Sequence, residues 1–312
     1  PALSNQRVHS MEIFVTGATG YIGGTVSARL MQAGHRVHGL ARNAERAERL
    51  EEHGITPVLG TLDDFDILTA AAQSADAVVN AANADHPFAA RALAEALAGS
   101  GKKLLHTSGT SIVADNADGQ PGDIVYHEDT PLDPLPEKAS RVATDRMVCD
   151  AAKKGVHAVV MCPCLIYGKG LGVRPDSIQV PMFIDMAKAS GVPRHLGPGL
   201  NIWSNVHIED CADAYIAALE HAPAGSYFYV ESGEDTMLDL NRAVGRLLGL
   251  GDRTETLPQS DAARAWGAPM ALGMGSNVRV SADKARAMLD WKPVQRALQD
   301  DIENGSYADN AA

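Results

Sequence analysis

Through the first two thirds of the chain, short apolar runs alternate with amphipathic stretches. The apolar runs "EIFVTG", "RVHGLA", "TPVLG", "DAVVNAA", "KKLLHTSG" and "HAVVMCP" have the length and composition of buried strands. Between them the spacing predicts helices near Tyr21 to Ala33, Asp63 to Gln73, Pro87 to Ala98 and Pro136 to Lys154. Strands separated by crossover helices form a parallel sheet. Right-handed crossovers then give an α/β fold, a Rossmann-type, doubly wound sheet whose ligand sits at the carboxyl ends of its strands.

After Tyr167 the alternation stops. "GKGLGVRPDSIQVP" and "SGVPRHLGPGLNIW" are loops rich in Gly and Pro, with no internal repeat and no low-complexity linker. The expected division is a nucleotide-binding domain over 11–168, with a returning segment at about 200–222. Residues 169–199 and 223–312 then form a smaller substrate-binding lobe, and residues 1–10 read as an added extension.

Composition narrows the partners. The 312 residues are 45% hydrophobic, enough for a substantial core, and carry a net charge of -12. A surface that tracks phosphates needs an excess of Lys and Arg, so nucleic acid is not expected and a small-molecule substrate is. Four scattered cysteines (Cys149, Cys162, Cys164, Cys211) make neither a disulfide framework nor a zinc site, which fits a reducing cytoplasm. There is no apolar run of about 18 residues and no signal-peptide core, so no membrane association is expected.

The first strand leads into "TGATGYIGG", with Gly17, Gly20 and Gly23 spaced as G-x-x-G-x-x-G before an amphipathic helix. Glycines there permit a tight turn and a close approach of a diphosphate to backbone N–H groups at a helix start. The end of the second strand separates the two nicotinamide dinucleotides. An acid there accepts the ribose hydroxyls of NAD(H), whereas an Arg accommodates a 2′-phosphate. "VHGLARN" supplies Arg42 and no acid before Glu45, so NADP(H) is favoured over NAD(H).

These features, with "GTLDD", "VVNAAN", "LLHTSGTSIVAD", "HEDTPLDPLPEKASR", "CPCLIYGKG" and "NVHIEDCADAYIAALE", resemble the extended branch of the short-chain dehydrogenase/reductase family over nearly everything from Met11 onward. The resemblance implies cofactor contacts from Gly17, Thr19, Gly20, Tyr21, Ile22, Gly23 and Arg42. It adds Thr61, Leu62, Ala81, Ala82, Asn83, Thr107, Arg141, Pro163, Cys164 and Ile166. It also implies a homodimer built from two helices per subunit. In that family a Ser or Thr polarises the substrate oxygen, a Tyr moves the proton, and a Lys four residues later holds the ribose. Here the Ser position falls on Gly109, between Ser108 and Thr110. The Tyr position falls on Glu137 and the Lys position on Arg141.

A Glu beside an Arg is a fixed negative charge rather than a proton donor, because the cation stabilises the carboxylate. Arg141 keeps its proton but can hydrogen-bond ribose hydroxyls or Glu137. Three readings follow. NADPH reduces a carbonyl, with the acid recruited from Ser108, Thr110, Tyr126 or a water; or the substrate is a cationic imine, stabilised by Glu137; or the chain is an NADP(H)-binding sensor or interaction protein. An epimerase-like or non-redox lyase activity on the same fold is a further alternative. His86, Tyr126, Tyr167, Trp203 and Asn205 are the substrate-side candidates, with Tyr167 also read as packing against the cofactor and His86 equally as a residue at the start of a helix. His207 reads equally as a helix cap, His106 as a core histidine, and Cys162 and Cys164 as small core residues.

Overall fold

The computed structural model describes residues 10–311, so the extension read into residues 1–10 lies almost wholly outside the described residues. The Rossmann part opens with β1 (Glu12–Thr16), α1 (Tyr21–Gln32), β2 (Arg36–Ala41), α2 (Ala44–Glu52), β3 (Thr56–Leu59), α3 (Phe65–Ser74), β4 (Ala77–Asn80), α4 (Pro87–Ala96) and β5 (Lys103–Thr107). It continues through α5 (Ala139–Asp150) and β6 (His157–Pro163), after which the chain enters β7 (Leu165–Tyr167). Next come α6 (Gln179–Ser190), β8 (Arg194–Leu196), β9 (Ile202–His207), α7 (Ile208–His221), β10 (Ser226–Val230) and β11 (Gly233–Thr236). The chain finishes with α8 (Met237–Leu247), β12 (Glu255–Leu257), α9 (Gln259–Trp266), α10 (Ala268–Gly275), α11 (Asp283–Leu289) and α12 (Leu298–Asn304).

Seven parallel strands run in the order β10-β6-β5-β4-β1-β2-β3. The central strands β1, β4, β5 and β6 are buried on both faces because helices cover both sides. Ile13 and Val15 of β1 and Leu105 of β5 enter one core layer with Leu30 and Tyr215. Phe14 and Leu104 enter the other with Leu68, Leu93 and Val148. On the first face α1 and α7 pack side by side, joined at their edge by Arg29, which pairs with Glu209 and Asp213.

All six expected strands and all four expected helices are present. The last helix has its ends tightened into 3₁₀ turns at Pro136–Lys138 and Ala151–Lys154. The sequence reading passed over α2, because "AERAERLEE" is charged on nearly every side and buries only Leu50. What starts it is Asn43, whose side-chain oxygen accepts from the Arg46 N–H at 2.9 Å.

The strands cross the expected division in both directions. The seventh strand of the large sheet is β10, at 226–230, so the return to the Rossmann part runs past residue 222. Conversely β7 and β9 leave the large sheet and build a three-stranded sheet with β11. The two parts are tied together by Asp210 of α7, whose buried carboxylate accepts from the N–H groups of Val294 and Gln295 at 2.8 and 3.0 Å.

Candidate active site

The turn after β1 is shaped by close backbone approach. Gly17 has φ +75°, and a Cβ on it would lie 2.4 Å from the Ala81 carbonyl oxygen at the end of β4. A Cβ on Gly23 would lie 2.3 Å from the Gly17 oxygen. Only glycines fit, and the result is a cradle at the start of α1 whose first N–H groups have no helical partner.

The cradle opens into a cavity of about 530 Å³ at the carboxyl edge of the sheet. Gly17, Thr19 and Gly20 line one side, Thr61, Leu62, Ala81 and Ala82 the other, and Arg42 lies at the end of β2. Arg46 and Arg174 also line it, and neither was singled out in the sequence. Arg46 lies in the first turn of α2 and donates to the Thr19 hydroxyl at 2.9 Å; the charge of its neighbours in α2 masked it. The glycine cradle and the arginines together fit a dinucleotide bearing several phosphates.

Other expected cofactor contacts lie outside that lining. Tyr21 gives its hydroxyl to the Gly168 carbonyl at 2.8 Å, and Ile22 is half-buried in the core. Asn83 turns inward on its own loop, its side chain accepting from the Asp85 N–H. The Thr107 hydroxyl is shared with Tyr215 at 2.7 Å. Pro163, Cys164 and Ile166 are buried where β6 gives way to β7, and the Cys164 N–H donates to the Val230 carbonyl.

At the expected catalytic positions the Glu137 and Arg141 pair does not form. Glu137 lies exposed in the 3₁₀ turn ahead of α5 and has no hydrogen-bond partner among the described residues. The tighter turn takes it off the α-helical spacing on which the pairing depended. Arg141 instead binds Asp85 through two parallel bonds, Nε to Oδ1 at 2.8 Å and a terminal nitrogen to Oδ2 at 2.5 Å. Its other terminal nitrogen donates to the Ser111 hydroxyl at 3.0 Å. The guanidinium holds the Asp85 carboxyl below the usual range.

Gly109 explains how Arg141 gets there. A Cβ at that position would lie 3.2 Å from the Arg141 guanidinium, so the glycine in the family's Ser position leaves the guanidinium its seat. Asp85 and Ser111 are functional candidates the sequence reading missed. Asp85 is 56 residues from Arg141, so no local spacing could reveal it.

Beneath Arg141 lies a buried polar chain. The Thr16 hydroxyl donates to Asn80 at 2.6 Å, and the Asn80 amide meets His106 Nδ1 at 2.9 Å. His106 Nε2 faces Asp145 Oδ1 at 3.7 Å, and Asp145 Oδ2 accepts from Ser108 at 2.6 Å. Burial pushes the Asp145 carboxyl up to about 7 and the His106 imidazole down to about 4. Ser108 is thus tied to Asp145 and 5% exposed, and Thr110 is 2% exposed.

The substrate-side expectations divide. Tyr167 gives its hydroxyl to the Arg296 carbonyl at 2.6 Å, Trp203 gives its indole N–H to Gly273 at 3.1 Å, and Asn205 donates to Asp235 at 2.8 Å. All three are buried on β7 and β9, in the three-stranded sheet. His86 caps α4 by accepting from the Ala89 N–H and also lines the cavity, where it meets Asp63 at 3.1 Å. His207 caps α7. Tyr126 is half-buried and bonded through its backbone to Arg279 and Ser281. No group of three or more His, Cys, Asp or Glu able to hold a metal occurs among the described residues.

The chain is 32% identical over 335 residues to the oxidase ucsJ of Acremonium sp, covering 94% of this chain and 95% of that protein. It is 26% identical over 239 residues to the 4-hydroxy-2-methyl-3-oxo-4-farnesyl-3,4-dihydroquinoline-1-oxide ketoreductase of Stigmatella aurantiaca, covering 72% of this chain and 69% of that one. Among solved structures it resembles the dTDP-glucose 4,6-dehydratase of Bacillus anthracis str. Ames in complex with NAD, with a TM-score of 0.76 at 18% identity over 96% of each chain. Residues 13–230, from β1 through the last strand of the large sheet, match the NAD dependent epimerase/dehydratase family, and the chain belongs to that family.

Proposed function

We propose that this protein is an NADP(H)-dependent oxidoreductase that reduces a small organic carbonyl. The observation that carries the reading is the seat of Arg141. Of its five N–H donors, three are spent on Asp85 and Ser111, which fix the plane of the group, and two remain. They lie beside Gly109, where the family resemblance puts the substrate oxygen's partner. A rigid cation with unspent donors stabilises charge developing on a carbonyl oxygen without giving up its own proton. Bound in the cavity, a nicotinamide dinucleotide would supply the hydride chemistry. A proton for the product oxygen comes from the Ser111 hydroxyl, from Tyr126 or from solvent.

The same geometry weighs against a cationic imine. An iminium ion would approach a guanidinium, while Glu137, the carboxylate that was to stabilise it, is exposed and apart. Preference for NADP(H) rests on Arg42 and Arg46, two cations beside the end of β2 that no carboxylate pairs; the one acid lining the cavity, Asp63, lies beyond β3.

The test is a fluorescence titration with NADPH and NADH, followed by turnover assays on aldehydes, ketones and cyclic imines. Wild type should bind NADPH more tightly. Arg42→Ala and Arg46→Ala should each weaken NADPH by about tenfold, the value of one charge-assisted contact, and leave NADH unchanged. Turnover of imines alone would reverse the choice of substrate. Silence across the panel with intact NADPH binding would point to a sensor.

A further inference from the structure

The chain has a net charge of -12, and most of its arginines are paired with carboxylates. Three that are not share one cavity. Arg42, Arg46 and Arg174 all line the cleft at the start of α1, and among the described residues none has a carboxylate within 4.0 Å. Unpaired cations gathered on one cavity of an acidic protein are there for an external anion. Arg42 and Arg46 come from the β2 side. Arg174 comes from elsewhere, on the 169–178 segment that follows β7.

That segment is strapped over α1. A Cβ on Gly172 would lie 2.5 Å from the Gly24 Cα, so two glycine backbones touch there. The Leu171 N–H donates to the Thr25 hydroxyl at 3.2 Å, and the Tyr21 hydroxyl reaches the Gly168 carbonyl. The far end of the strap is closed by the Gly170 N–H on the Pro175 carbonyl at 2.7 Å. From the other side Tyr307 accepts from the Gly168 N–H, and its hydroxyl is shared with Ser177. Arg174 itself is exposed and makes no hydrogen bond among the described residues. The strap is thus fixed along its length while the one cation at its crest is left free, over the cleft that the glycine cradle opens into.

We infer that Arg174 is a diphosphate clamp, which closes on the bridging phosphates of the dinucleotide from the side opposite the backbone N–H groups at the start of α1. It rests on the dinucleotide-binding reading given under Proposed function and extends it to a residue contributed from outside the first strand–helix units. The division of labour is specific. Arg42 and Arg46 meet the phosphate that only NADP(H) carries, and Arg174 meets the pair that both nucleotides carry.

The experiment compares wild type, Arg174→Ala and Gly172→Ala in titrations with NADPH and with NADH, with thermal unfolding of each unliganded protein as the control for folding. Arg174→Ala should weaken both nucleotides by the same factor, about tenfold, with an unchanged unfolding temperature. Gly172→Ala, whose Cβ would push the strap off α1, should also weaken both. Unchanged binding by Arg174→Ala, or a loss confined to NADPH, overturns the clamp while leaving the dinucleotide site standing. A wild-type chain that binds neither nucleotide overturns the site and the clamp together.

Discussion

At the scale of single residues, His106 and Asp145 make the most distinctive pair in the molecule. As pH falls through His106's ordinary value of 6.5 the unfolded chain takes a proton that the folded chain, held down to about 4, refuses. Stability on that account is lost downward. As pH rises through Asp145's ordinary value of 3.8 the unfolded chain releases a proton that the folded chain keeps to about 7. Stability on that account is lost upward. Between about 4 and 6.5 the two slopes oppose, because folding moves one proton from the histidine to the aspartic acid and changes the total by none. Asp145→Asn should therefore uncover a loss of stability toward acid in that window, and His106→Asn a loss toward neutrality, each at most about 1.4 kcal/mol per pH unit relative to wild type. Urea midpoints measured across the window decide it; variants that follow the wild-type profile would refute the pairing. The sequence marked His106 as a core histidine. It could not show that the core group facing it is an acid 39 residues later.

At the scale of elements, α1 and α10 give opposite answers to the same substitution. In α1, a Cβ on Gly23 meets the Gly17 carbonyl, which is backbone and cannot step aside. Gly23→Ala should cost about 1–3 kcal/mol in overpacking and reduce nucleotide binding with it. In α10, Gly273 has nothing within 4 Å of its would-be Cβ and lies inside the helix. Gly273→Ala should stabilise by about 0.4–1 kcal/mol. Thermal melts of the two variants should move in opposite directions; a destabilised Gly273→Ala would show that α10 packs more tightly than this structure has it. Helices with an apolar stripe were legible in the sequence. The α2 helix was not, since its propensity and its Asn43 cap carry it with little buried face.

At the scale of the whole molecule, the large sheet is finished late. β10 closes beside β6 only after the smaller sheet has begun, and α7 covers one face together with α1. A chain ending at Tyr167 would leave the edge of β6 unpaired and the Val159 and Met161 layer open to water. It should lack the near-ultraviolet dichroism and the cooperative urea transition of the full chain. A sharp transition in the fragment would show that the first six strands are a domain by themselves. The expected boundary at residue 222 missed β10 because "SYFYV" follows a loop in a region where regular alternation had already stopped.

The sequence by itself determined the parallel sheet, the glycine cradle and the cation at the end of β2, because each is written in local spacing: alternating period, G-x-x-G-x-x-G, and one Arg where an acid would stand. It also singled out Gly109, Glu137 and Arg141, the positions onto which the resemblance counts the family's Ser, Tyr and Lys. Only the tertiary structure decided what Arg141 does. A guanidinium takes the partners that offer good geometry, and those came from Asp85 beyond β4 and Ser111 beyond β5, brought together by strand order. The same holds for Arg174, which reaches the cavity at the start of α1 because two glycines let the strap lie against that helix. Long-range contact is set by how the sheet closes, and no local spacing records it.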